Sequence, residues 1–289
     1  MLTMLKSVKC SAWLNIITGC FLIYLSCCSL PRLSSCFAIN MIKTVHSTLK
    51  SFQMYEQNRH AREIKISNLQ KYIDKNDVTS GIYVLVIGES TARDHMGVYG
   101  YDRSTTPWMQ NLLNKDNAVI FTNAYSNHVH TVPSVQFALT SQNQYSSVEF
   151  KDSYSIVDLA NALGFKTYWI SNQKHFSVAN TPLTTIANTT DHQVWLNTYI
   201  GTKTSTTYYD EKLAENIPDL SKTDKVLIVV HLMGCHAVYI DRYNSDFDIF
   251  SGKNKRVDSY DNAVYAVYVK AYGRQRRHNG HRAVTRENV

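Results

Sequence analysis

The chain has 289 residues, 44% hydrophobic and 18% charged, which suits one large α/β domain with a sizeable core plus a further segment. Its net charge of +7 does not argue for a nucleic-acid partner: from Lys270 onward six Lys/Arg face one Glu, so most of the excess sits in the last 20 residues, and no nucleic-acid-binding motif is present. Five of the six cysteines lie in the first 36 residues; only Cys235 falls in the globular part, which excludes an internal disulfide there and any cysteine metal site.

In chain order, the first predicted element is the uncharged stretch Ser11 to Leu30. About 20 apolar-leaning residues cross a bilayer core of roughly 30 Å. Lys6 and Lys9 precede the stretch, so the positive-inside rule places the N-terminus in the cytoplasm and the bulk outside. An anchor is preferred over a cleaved signal peptide, whose apolar run is shorter. Residues 1–38 are therefore expected to form a transmembrane anchor. Residues 39–80, polar with sparse apolar positions such as Ile42, Val45, Leu49 and Met54, are expected to form a juxtamembrane helical linker.

From Gly81 the texture changes. Residues 82–88 (IYVLVIG) form a continuous β-branched run, the mark of a strand buried on both faces of a parallel sheet. A helical segment over Thr106 to Leu113 follows, then a second strand-like run, AVIFTNAY (118–125). SIVDLANALG (155–164) predicts a helix ending at Gly164, KTYWIS (166–171) a strand, Tyr208–Ile217 a helix and KVLIVVHL (225–232) another strand. Strands alternating with helices predict an α/β sandwich with a mostly parallel sheet.

Chemistry-bearing residues fall just beyond these strands, where open α/β sheets gather their functional groups. Glu89 follows the first strand; a carboxylate there either holds a divalent cation or caps a helix. Thr131 precedes Val-Pro, as a nucleophile activated by a metal or base or as a helix N-cap. Asn172, Gln173 and Lys174 end the strand at 166–171, able to bind an anionic headgroup or to form an ordinary loop. His231 closes the 225–232 strand and His236 follows five residues later; neutral imidazoles suit phosphate or metal contacts.

The motifs themselves carry a resemblance. VLVIGESTARDHMGVYGYDRSTTP (84–107), TVPSVQFALT (131–140), WISNQK (169–174), HLMGCHAVYIDRY (231–243) and YDNAVYAVYVK (260–270) resemble the phosphoethanolamine transferases of the alkaline phosphatase/sulfatase superfamily. The resemblance covers residues 81–268 and implies an alkaline-phosphatase/sulfatase-like sandwich. It implies Zn2+ or another divalent metal held by Glu89 and Thr131, Thr131 as the nucleophile, and His236, Lys174 and Asn172 as substrate-binding residues. Phosphatidylethanolamine would be the donor, and lipid A or core oligosaccharide the acceptor. The location implied is the bacterial inner membrane, with the catalytic domain facing the periplasm. Two departures stand out. Cys235 replaces the usual serine, and the family's S-D-H-G, whose Asp and His complete the zinc site, does not occur. Residues 269–289 read as an unrelated basic tail, so the domain is expected to be incomplete at its C-terminus and inactive or nearly so. A phosphatase or sulfatase-type hydrolase and a non-catalytic membrane-tethered fragment are the alternatives; the sulfatases' nucleophile is Cys or Ser, against Thr131 here.

Overall fold

The computed structural model describes Asn15, residues 17–21, 23–24, 37–73, 78–115, 118–175, 181–197, 208–221 and 224–273. Helices α1 (Phe37–Gln57) and α2 (Arg59–Gln70) precede strand β1 (Gly81–Ile87). Then come α3 (Pro107–Leu113), α4 (Thr131–Leu139), α5 (Ile156–Ala162), β2 (Lys166–Lys174), α6 (Thr181–Ala187), β3 (His192–Asn197), β4 (Lys225–His231) and α7 (Lys255–Gly273). The chain divides into two compact units, Met1–Ser47 and Thr48–Val289.

The four strands form one parallel sheet in the order β1-β4-β2-β3. β4 lies between β1 and β2 and is buried from Val226 to His231, as its unbroken β-branched run requires. Its side chains alternate between two cores. Val226, Ile228 and Val230 join Tyr260, Val264 and Val267 of α7 on one face. Val229 joins Trp169 with Val135, Val157 and Ile186 of α4, α5 and α6 on the other. Helix α5 starts with a capping box between Ser155 and Asp158, and Gly164 follows it at φ +78.

The structure departs from the sequence reading at several points. β1 is an edge strand, not a strand buried on both faces: Ile82, Tyr83 and Val84 are 41–46% exposed because β4 is its sole partner among the described residues. The run at 118–125 forms no strand. It is a loop exposed from Phe121 onward, tied down by Arg93 Nη1 donating to Thr122 O at 2.8 Å; β propensity without a pairing neighbour does not make a strand. The segment at 208–217 is a 3-10 helix over Asp210–Asn216, and β3 was not foreseen.

Residues 39–80, read from sequence as a juxtamembrane helical linker, carry most of α1 and all of α2. Their second half is built into the sheet-bearing unit: Tyr55 is fully buried, stacks on Phe150 and donates its hydroxyl to Asp158, while the buried Arg62 lies over the Tyr55 ring. Most of Ser11–Leu30, and the tail from 274 with His278 and His281, lie outside the described residues. Among the described residues no helix is long and apolar enough to cross a membrane, so the expected anchor gains no support.

Candidate active site

The site forms where β1 and β4 end together, since Ile87 pairs with His231. Two residues past Ile87 comes Glu89, 8% exposed. Thr131 arrives from the other side of the sheet's end as the first residue of α4. Its Oγ1 donates to Glu89 Oε2 at 2.7 Å, and Ser90 Oγ donates to Oε1 at 2.6 Å. The carboxylate thus accepts at both oxygens and holds the threonine hydroxyl by its proton. Helix α4 begins at Thr131; Pro133 has no N–H and Ser134 N donates to His130 O, so the first turn leaves the amides of Thr131 and Val132 for an anion that would meet Thr131.

The turn after β4 braces Glu89 from behind. Leu232 N donates to Ile87 O at 3.0 Å and Cys235 N to Glu89 O at 2.9 Å. Between them Gly234 sits at φ +55, where an added Cβ would lie 2.6 Å from Glu89 O. Only glycine satisfies both that dihedral and that approach. Asp210 holds the same turn: its carboxylate accepts from Met233 N at 2.8 Å and Gly234 N at 2.7 Å. Burial pushes the Asp210 pKa up, opposed by these hydrogen bonds and that from Asn172.

Asn172 does not face the site. It is fully buried, with Nδ2 donating to Asp210 Oδ1 and Tyr208 O and Oδ1 accepting from Asn197. Its amide is consumed in supporting Asp210, which corrects its reading as a headgroup ligand. Gln173 is likewise structural, donating to Leu232 O at 2.7 Å. Lys174, half-buried, ends β2 beside Asn197. His236 lies on the braced turn, its Nδ1 buried and without a hydrogen-bond partner. His231 is 1% exposed, edge-on to Trp169, with both ring nitrogens unpartnered; burial lowers its pKa to about 4. Burial pushes the Cys235 thiol up to about 12, which leaves it a packing residue and not a nucleophile.

The long motif after β1 proves structural beyond Glu89. Arg103 spreads its guanidinium over Asp261 Oδ2 and Asp258 Oδ1, both at 2.7 Å, and Asp261 Oδ1 lies 2.6 Å from His95 Nδ1. Thr105 Oγ1 donates to His95 O and accepts from Gly97 N, and Thr106 Oγ1 accepts from Val98 N.

A metal at this site would take Glu89 and Thr131 as two oxygen ligands. Among the described residues no group of three or more His, Cys, Asp or Glu converges to hold an ion; a zinc ordinarily takes three protein ligands or more, so Glu89 and Thr131 would supply only part of such a shell.

The geometry agrees with the comparisons to known proteins. The Sulfatase family model matches residues 82–267, and the chain belongs to that family. Its similar relatives are transferases by name. The phosphoethanolamine transferase EptC of Escherichia coli O18:K1:H7 is 32% identical over 216 residues, covering 74% of this chain and 37% of the relative. The phosphoethanolamine transferase CptA of Salmonella typhimurium is 31% identical over 209 residues, covering 67% and 36%. The chain thus spans little more than a third of the length of these relatives. The crystal structure of the C-terminal periplasmic domain of Escherichia coli EptC in complex with zinc superposes with a TM-score of 0.58 at 31% identity, over 67% of this chain and 58% of that one. The soluble domain of lipooligosaccharide phosphoethanolamine transferase A from Neisseria meningitidis, at 22% identity and a TM-score of 0.53, shares the fold.

Proposed function

We propose that this chain transfers phosphoethanolamine from phosphatidylethanolamine to a cell-envelope acceptor, lipid A or core oligosaccharide, through a phosphothreonine intermediate at Thr131, and that it does so slowly, because the Asp and His of S-D-H-G that complete the zinc site are missing from the sequence. The observation that carries the reading is the 2.7 Å contact from Thr131 Oγ1 to Glu89 Oε2 at the carboxyl end of a parallel sheet. The family and the transferase names of the relatives support the reaction class, and the zinc in the EptC domain supports the metal.

Glu89 and Thr131 would hold the ion, which would acidify the threonine hydroxyl and neutralise charge on the phosphoryl oxygens. Thr131 Oγ1 attacks phosphorus as its proton passes to Glu89. The bond from phosphorus to the glycerol oxygen breaks, and diacylglycerol leaves with that proton. The N–H groups of Thr131 and Val132 at the α4 N-terminus would stabilise the charge that develops on the phosphoryl group. The acceptor oxygen then attacks the same phosphorus, its proton passing to Glu89, the bond from phosphorus to Thr131 Oγ1 breaks, and Thr131 Oγ1 recovers that proton. On this reading His236, whose Nδ1 is buried without a hydrogen-bond partner on the braced turn, and Lys174 would bind the anionic headgroup. On this reading the catalytic part lies in the periplasm, anchored to the inner membrane through Ser11–Leu30.

The test is a turnover assay with acyl-labelled phosphatidylethanolamine and zinc, with and without lipid A. Slow acceptor-dependent release of labelled diacylglycerol is expected, falling to background in Thr131→Ala, since a nucleophile admits no substitute. Equal release without acceptor would mark a hydrolase and overturn the transferase reading.

A further inference from the structure

Ser90 is one of two non-glycine residues with a positive φ, at +52, among the described residues. A non-glycine residue is strained in that region and persists there only where its surroundings impose it. Here the strain has a use: it turns Ser90 Oγ back onto Glu89 Oε1 at 2.6 Å, which leaves Oε2 to Thr131. What imposes the conformation comes from 170 positions away in sequence. Tyr260 of α7 donates its hydroxyl hydrogen to Ser90 O at 2.7 Å and accepts from Ala92 N at 2.7 Å. One hydroxyl thus closes both ends of the three-residue turn. The ring is itself fixed, 9% exposed and packed edge-on against His95 and Tyr239 at centroid distances of 4.8 and 4.9 Å. The next residue, Asp261, grips His95, Tyr101 and Arg103 further along the same loop. Adjacent residues of one helix therefore anchor the segment that carries Glu89 at two points.

We propose that Tyr260 is a positioning residue: its hydroxyl holds Ser90 in the left-handed conformation and thereby aims the Glu89 carboxylate at Thr131. The consequence for metal binding rests on the reading of Glu89 and Thr131 as ligands; the consequence for the Thr131 contact does not. Tyr260→Phe keeps the ring and removes only the bridging oxygen. Three quantities are measured on the full chain and the variant: amide exchange at Ala92, the methyl resonance of Thr131 (assigned with Thr131→Ser), and Co2+ affinity by calorimetry. With the thermal midpoint moved by no more than a few degrees, Ala92 exchange should rise tenfold or more, the Thr131 resonance should shift, and the Co2+ dissociation constant should rise tenfold or more. Faster exchange at Ala92 with an unmoved Thr131 resonance would overturn the proposal, as would unchanged exchange. If neither protein takes up Co2+, the metal reading falls and the Thr131 resonance still decides the positioning claim. Ser90→Gly supplies a second background, since glycine adopts φ +52 without strain. There the added Tyr260→Phe change should shift Thr131 several-fold less. An equal shift in both backgrounds would mean that Tyr260 acts only as packing.

Discussion

His231 closes β4 with both ring nitrogens buried and unpartnered, and burial lowers its pKa from 6.5 to about 4. The folded protein therefore takes up this proton later than the unfolded chain as pH falls. The contribution to stability is complete above the unfolded pKa and is lost as pH falls from 6.5 toward 4, with a slope of at most about 1.4 kcal/mol per pH unit. His231→Phe keeps a ring against Trp169 and removes the titration. In denaturant unfolding, the stability of the native chain relative to this variant should fall between pH 6.5 and 4 and stay level above pH 7; a difference constant across the whole range would contradict the account. Not every residue of the site was readable to the same depth. Glu89 and Thr131 could be named as candidates from sequence because each lies in a motif that carries the family resemblance, and the structure brings their side chains into contact. Ser90 could not, because nothing in its identity marks a positive φ. Asn172 misled because a polar residue at a strand end reads alike whether it faces a ligand or, as here, props up Asp210.

At the scale of elements, the turns of the candidate site are held by segments remote in sequence. The turn Leu232–His236 is fixed by Asp210, Gln173 and the backbone of Glu89. The loop after β1 is fixed by Tyr260 and Asp261 of α7. Gly234→Ala tests the first of these. Its Cβ would meet Glu89 O at 2.6 Å and N at 2.9 Å, both backbone atoms that cannot swing aside. The variant should lose about 2 kcal/mol or more of stability through strain at this φ and the clash, and its Thr131 amide resonance should move. A loss below about 0.5 kcal/mol by chemical denaturation would show that the two turns are not pressed together as described. Strands whose burial matches an unbroken apolar run, such as β4, were evident from sequence. The run at 118–125 was equally strand-like, yet it has no pairing neighbour among the described residues; pairing is a property of the fold and not of the run. β3 escaped notice for the converse reason. HQVWLN is short and half polar, and the parallel edge of β2 makes it a strand.

The unit Thr48–Val289 carries a parallel sheet covered on one face by α7 and on the other by α4, α5 and α6, with Thr131 Oγ1 and Glu89 Oε2 in contact at its carboxyl end. That architecture follows from the alternation of strands and helices in the sequence, and the sulfatase match and the EptC superposition agree with it. The division of the chain was less legible. Polar helices at 39–80 read as a linker, but Tyr55, Arg62 and Ile66 are buried in the unit that carries the sheet. A few buried positions among many exposed ones leave little periodic signal. The central claim is that this fold brings Thr131 to Glu89 as a nucleophile for phosphoryl transfer. It is tested most directly by peptide mass spectrometry of the chain after incubation with phosphatidylethanolamine and zinc, without acceptor. The account predicts a phosphoethanolamine group on the Thr131 peptide, absent in Glu89→Gln and discharged on adding lipid A. An unmodified Thr131, or an adduct on another residue, would contradict it.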